Sequence, residues 1–185
     1  MTAPTTSGTT TWTIDPVHSQ VEFAVRHMMI STVKGNLGAI EGALELDEET
    51  PSRSAVSVTF DAASIDTRSA QRDTHLRSGD FLDVEAHPAI TFTAQSVPGA
   101  SLEDGAEFAL TGELTIRGVT RPVTLSVTTG GRGRDPWGGE RIAFAAKGAF
   151  DRRDFGLTWN AALETGGVLV SDEVKVTIDL QAVRQ

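Results

Sequence analysis

Phe108-Ala-Leu-Thr-Gly-Glu-Leu-Thr-Ile116 is the stretch whose reading decides the fold. Phe108, Leu110, Gly112, Leu114 and Ile116 fall on one side, and the residues between them on the other. A period of two marks a half-buried β-strand. The same alternation recurs in Val21/Phe23/Val25, Ile40/Gly42/Leu44/Leu46, Val56/Val58/Phe60 and Ile90/Phe92/Ala94. It returns in Val123/Leu125/Val127, Ile142/Phe144/Ala146/Gly148/Phe150 and Val174/Val176/Ile178/Leu180. About eight such strands close into a barrel wide enough for one small ligand. The fold class expected is therefore all-β: an antiparallel eight-stranded barrel. The small residues at inward parity, Gly42, Ala94, Gly112, Ala146 and Gly148, are expected to leave volume that an apolar ligand would occupy.

The chain of 185 residues suits one domain. Residues 1–10, rich in Thr, Ser, Gly and Pro, read as a disordered tail, and 11–185 as the barrel. With 22% charged and 39% hydrophobic residues the chain is globular, with no run long enough for a transmembrane helix. A net charge of −9 argues against nucleic acid and against anionic membrane surfaces. There is no cysteine and no tyrosine, so disulfide, thiolate and phenol chemistry are excluded. The N-terminus has neither the basic nor the apolar region of a secretory signal, which makes the cytoplasm the expected location.

Several segments interrupt the alternation. His27–Asn36 reads as a loop or bend at one barrel end, and Gly118–Pro122 as a tight turn. Gly130–Gly139 reads as a flexible loop holding Trp137. The longest break, Ala62–His87, is expected to contain one short helix that covers a barrel mouth. Asp66 or Thr67 would cap its start and Gly79 its end.

Motifs in order along the chain carry a family resemblance. Asp15-Pro-Val-His-Ser19 is followed by Phe23 and His27, then by Ile65-Asp-Thr67 and Arg72-Asp-Thr-His-Leu-Arg-Ser78. Asp80-Phe-Leu-Asp83, Pro88-Ala-Ile-Thr-Phe92, Gly112-Glu-Leu-Thr-Ile-Arg-Gly-Val-Thr-Arg-Pro-Val123 and Arg153-Asp-Phe-Gly156 complete the series. This pattern resembles the YceI-like family over roughly residues 12–182. The resemblance implies a lipocalin-like barrel with a long hydrophobic pore for polyisoprenoids or similar long-chain amphiphiles, often in a homodimer. Many such proteins are periplasmic.

The function expected is binding, storage or transport of a long-chain apolar ligand: a polyisoprenoid, an isoprenoid quinone or a fatty-acyl amphiphile. No cofactor is required, and stable membrane insertion is not expected. The positions expected to contact the ligand are Phe23, Val25, His27, Met28, Met29, Ile40, Leu44, Phe60, Phe81, Ile90, Phe92, Leu114, Phe144, Phe155 and Trp159. His27 shares the parity of Phe23 and Val25, and could meet a ligand headgroup or satisfy a structural partner. Arg72 and His75 share a helix face. They could clamp a polar head or anchor the helix to the barrel.

Two rivals remain at this level. One is an enzyme acting on an apolar substrate inside the barrel, which would show an inward pair of titratable groups with displaced pKa values. The other is a barrel filled by its own side chains. Asp15, His18 and Ser19 lie too close together along the chain for a serine–histidine–carboxylate relay. His18, His27, His75 and His87 have no metal-ligand spacing. Trp12 and Trp137 could gate the pore or simply pack.

Overall fold

A computed structural model describes residues 8–185. Ten antiparallel strands follow in chain order: β1 Thr9–Ile14, β2 Gln20–His27, β3 Ser31–Leu37, β4 Glu41–Asp47 and β5 Ala55–Asp61. Then come β6 Ala89–Gln95, β7 Glu107–Ile116, β8 Val119–Arg134, β9 Glu140–Asp151 and β10 Glu173–Arg184. The ring runs β1-β4-β5-β6-β7-β8-β9-β10 and closes by pairing β10 back onto β1. Eight strands therefore complete the barrel, as the alternation predicts.

The two additional strands extend existing ones. Ile14 pairs with Ala182 of β10, and after the turn at Asp15–Ser19 the chain rejoins the same edge with Gln20 opposite Asp179. β1 and β2 thus form one interrupted stave, and β3 and β4 form the next. The reading of His27–Asn36 as a loop is corrected here. Only Met28–Ile30 turns, and Ser31–Leu37 pairs with β2 from Val21↔Leu37 to His27↔Ser31. Its Ser-Thr-Val-Lys-Gly-Asn-Leu sequence has too few apolar residues to declare the strand.

Other boundaries shift for local reasons. β1 begins at Thr9, inside the expected tail; residues 1–7 of that tail lie outside the described residues. The Gly130–Gly139 loop is shorter than expected, because β8 continues to Arg134 past a register shift between Thr129 and Arg132. The turn before β8 is Arg117–Gly118, both at positive φ, and Thr120–Pro122 already belong to the strand. Helix α1, Ala70–Arg77, is capped by the Ser69 hydroxyl and ends at Ser78, not at Asp66 or Thr67 and Gly79. Asp66 and Thr67 are engaged elsewhere. The Asp66 backbone bridges to Asn36, and Thr67 Oγ1 and N–H both donate to the buried Asp73 carboxylate. Burial alone would raise the Asp73 pKa, but these two bonds hold it below the ordinary carboxylate value.

The β10 residues 182–184 define one end of the barrel. There Trp12, 1% exposed, packs with Leu44, Leu46, Ile142 and Ala182. The Arg132 and Arg184 guanidinia lie 5.5 and 6.0 Å from the Trp12 ring centroid. Trp12 therefore plugs this end. Trp137 is 88% exposed on the β8–β9 turn and does not gate the pore. An ion-pair network ties the plugged end together. Arg141 Nη1 donates to Asp15 Oδ2 (2.6 Å) and to Gln181 Oε1 (2.7 Å), and its Nε donates to Asp135 Oδ2 (3.0 Å). The Arg141 guanidinium, with His18 beside it, holds the Asp15 carboxyl far below its ordinary pKa.

That depression makes a pH-dependent prediction. A carboxylate with a folded-state pKa below its unfolded value of about 3.9 stabilises the fold above that value. The contribution is lost as pH falls through the folded pKa. Asp15→Asn is expected to lower Tm by roughly 2–6 °C at neutral pH. The gap from the unsubstituted protein should close as the pH drops below about 4, which melting curves at a series of pH values would check.

Candidate functional site: an apolar barrel cavity

The apolar wall arises from strand parity, and it encloses a cavity of about 450 Å³. Consecutive strands deliver Phe23, Val25, Phe108, Leu110, Leu114, Phe144, Val176 and Ile178 to the lining. These side chains stay half-buried although they lie on the inward face of a closed barrel. At mid-strand positions such as Leu110 and Ile178, the space that exposes them is interior. The barrel is therefore not filled by its own side chains, and the filled-barrel alternative is set aside. The volume lies in the range of ligand pockets.

The source of that volume differs from the sequence expectation. A Cβ at Gly112 would meet the Phe92 ring, and one at Gly148 would lie 2.6 Å from Leu125 Cδ2. A Cβ at Gly42 would strike the Ser57 carbonyl and approach Ile14. These glycines let neighbouring groups lie flat against the wall and do not open space themselves. Ala146 borders the cavity; Ala94 is buried in the core outside the lining.

Of the expected contact residues, Phe23, Val25, His27, Ile40, Leu44, Phe60, Phe81, Ile90, Phe92, Leu114, Phe144 and Trp159 line the cavity. Met28 and Met29 do not. They sit in the β2–β3 turn at positive φ, 38% and 60% exposed. Phe155 is also outside. The 3-10 turn Arg152–Phe155 breaks the parity there, and Phe155 packs edge-on to Phe150 behind the lining, with centroids 5.3 Å apart. Leu157 and Trp159, the other members of that alternating triplet, do reach the cavity.

The end of the barrel opposite Trp12 is built from α1, the segment that follows it, and residues 157–171. His75 meets Phe81 and Trp159 edge-to-face, with centroids 5.1 and 4.6 Å apart, and its Nε2 lies 2.8 Å from Asp80 Oδ2. Arg72 donates from Nε and Nη2 to the Thr67 hydroxyl and carbonyl (2.7 and 2.8 Å). The helix-anchor reading of Arg72 and His75 fits these contacts. Both residues nonetheless border the cavity. His27 also borders it and makes no side-chain hydrogen bond among the described residues, while its backbone bridges to Val170.

Arg152, which the sequence reading missed, organises the rim. Its side chain is almost fully buried. Nη1 donates to the carbonyls of Leu157 (2.6 Å) and Trp159 (2.9 Å), and Nε donates to that of Ser171 (2.9 Å). One guanidinium thus fastens both ends of the 157–171 segment. Asn160 adds a second clasp, with Nδ2 donating to the Val170 carbonyl (2.8 Å) and Oδ1 accepting from Val170 N–H. Burial lowers the Arg152 pKa, against the pull of Asp172 and Asp151. Parity could have found it, since Arg152 continues the inward series Phe144, Ala146, Gly148, Phe150.

The chemistry available is that of a donor-edged apolar container. The ionisable residues that border the cavity are Arg26, His27, Arg72, His75, Arg152 and Asp179, and Asp179 sits at the exposed parity of β10. An inward-facing carboxylate is absent among the described residues that line the cavity. So is any cluster of three His, Asp or Glu able to hold a metal. Asp15 and His18 touch at 2.8 Å, but Ser19 Oγ bonds the Gln181 backbone, so no relay forms.

Arg152→Met would leave three carbonyls without their donor. Amides of residues 157–171 are expected to exchange with deuterium faster, and Tm to fall by about 5–10 °C. Unchanged exchange in that segment would show that Asn160 alone holds it.

Comparison with known proteins places this architecture. The chain is 39% identical over 168 residues to a UPF0312 protein of Pectobacterium carotovorum, covering 91% of this chain and 82% of that one. It is equally similar to protein YceI of Salmonella newport, covering 91% and 83%. The crystal structure of Burkholderia cenocepacia BcnA shares the fold (TM-score 0.76, 22% identity, 91% and 98% coverage). So does a polyisoprenoid binding domain from Saccharophagus degradans (TM-score 0.67, 16% identity, 94% and 98% coverage). Residues 12–182 match the YceI-like domain, and the chain belongs to the YceI-like family.

Proposed function

We propose that this protein binds a long-chain apolar molecule, a polyisoprenoid or similar amphiphile, and shields it from water. The observation that carries this is the half-buried apolar wall around a 450 Å³ interior. Each buried methylene contributes about 0.8 kcal/mol, so a long chain offsets its association and ordering costs within a few isoprene units. A smooth apolar wall separates neighbouring chain lengths poorly. The fold relative from Saccharophagus degradans, described as a polyisoprenoid binding domain, supports the same ligand class. The reading is of a carrier: the interior offers apolar surface for a tail, edged by polar groups for a head.

The rim donors select the head of the ligand. His27, unengaged and on the cavity wall, is suited to an oxygen acceptor while the tail lies against Phe23, Val25 and Phe92. His27→Ala is expected to weaken a polar-headed chain twofold to about tenfold, the worth of one neutral hydrogen bond, and to leave a matched hydrocarbon unaffected. Paired fluorescence titrations measure this. Equal losses for the two ligands remove His27 from the site.

The cavity itself is tested by filling it. Native mass spectrometry of protein loaded with a defined polyprenol should show a one-to-one complex. Ala146→Phe, at a lining position, should reduce that occupancy while the protein remains folded. Gly112→Ala should behave in the opposite way, because it displaces the Phe92 ring: stability falls by about 1–3 kcal/mol and occupancy is retained. Full occupancy in Ala146→Phe would sink the interior site.

A further inference from the structure

We infer that the β2–β3 hairpin tip is a docking element for a lipid bilayer, placed so that the cavity mouth faces the membrane from which ligand is drawn. This rests on the cavity reading above. The hairpin tip carries Met28, Met29 and Ile30, which are 38%, 60% and 76% exposed. Ile30 N–H donates to the His27 carbonyl (3.0 Å), and the two central residues of this turn, Met28 and Met29, have φ of +53° and +58°. That geometry favours Asn-Gly, since a side chain in left-handed backbone is disfavoured. Met28 and Met29 thus stand on a backbone that suits them badly, and Ile30 beside them is the most exposed of the three. Local folding does not account for them.

Position and charge name the occupant. The residue before the tip, His27, lines the cavity. Met28 N–H donates to the carbonyl of Leu169, another lining residue, at 2.8 Å, and Val168 beside it is 39% exposed. The apolar tip is therefore continuous with the rim. The hairpin from residue 26 to residue 34 contains Arg26, His27 and Lys34 and no acidic residue, in a chain of net charge −9. Arg26 is fastened to the tip, donating to the Met29 carbonyl (3.0 Å) and the Thr32 hydroxyl (3.0 Å), without a carboxylate partner among the described residues. Lys34 pairs with Glu22 further back. An apolar tip beside the Arg26 guanidinium matches the boundary between acyl chains and headgroup phosphates. The overall negative charge keeps the rest of the barrel off the surface. Three side chains give shallow, reversible contact, consistent with a carrier that must leave again.

The test replaces the tip by the sequence its backbone prefers: Met28→Asn, Met29→Gly and Ile30→Ser together. This variant should melt at the same or a higher temperature and take up a fluorescent polyprenol from detergent as the unsubstituted protein does. On vesicles of mixed phosphatidylcholine and phosphatidylglycerol its co-sedimentation should fall by at least about tenfold. Its rate of ligand pick-up from those vesicles should fall in parallel. Equal sedimentation of the two proteins, or none by either, overturns the docking inference. If the substitutions abolish a dimer in analytical ultracentrifugation without changing vesicle binding, the tip is a contact for a second copy and the inference fails. Uptake from detergent without vesicle binding removes only the docking step. Vesicle binding through the tip without uptake from either source removes the carrier reading and leaves the docking surface.

Discussion

β10 is the seam on which the barrel depends. Its twelve residues pair along one edge with β9 and along the other with β2 and then β1. Without the second edge, the sheet would end in an open row of unpaired backbone groups. With it, the eight-strand ring closes, β3 alone keeping an outer edge met only by the Asn36–Asp66 bridge, and inward parity becomes a property of the whole ring instead of each strand alone. The break at Asp15–Ser19 lets one stave serve two registers on that edge. Arg141, bound to Asp15, Asp135 and Gln181, holds the break to the neighbouring strands. Closure and the polar network at the Trp12 end are thus parts of one arrangement.

A closed ring of eight strands leaves an interior that large side chains can fill or leave open. Here the two ends differ. Trp12, Leu44, Leu46 and Ile142 fill the end where β10 finishes. Toward the other end wall residues such as Phe23, Val25 and Leu114 stay half-buried, and the closing parts are held by polar clasps as well as by the packing of Phe81, Phe155 and Leu157. Arg152 and Asn160 grip the 157–171 segment by its carbonyls, and Arg72 and Asp73 grip Thr67 beneath α1. Directional hydrogen bonds fix these segments without requiring side chains to fill the space between them.

The tail of a ligand and its head are served by different parts of the molecule. Strand parity supplies the apolar wall and needs no side-chain chemistry. The rim draws its polar groups from several elements: Arg26 and His27 from β2, Arg72 and His75 from α1, and Arg152 from the turn after β9. The exposed methionines belong to neither set. They missed the cavity because the turn that carries them reverses the chain before their side chains can follow the parity of Phe23, Val25 and His27.

By itself the sequence determined the alternation, and the alternation determined the wall. Phe23, Leu44, Phe60, Phe92, Leu114 and Phe144 are inward because a pleated strand has no other way to place them. The count of eight staves followed from the same pattern, and the ordered motifs pointed to the family. Tertiary structure alone decided the rest, wherever position depends on groups distant in the chain. β3 exists because β2 offers it an edge, not because Ser31–Leu37 favours a strand. Gly112 is covered because Phe92, on another strand, lies across it. Phe155 leaves the cavity because a 3-10 turn resets the parity, and Arg152, inward by parity, becomes a clasp only because the carbonyls of Leu157, Trp159 and Ser171 converge on it. Period-two patterning specifies which face a residue takes; only the packed chain specifies what that face meets.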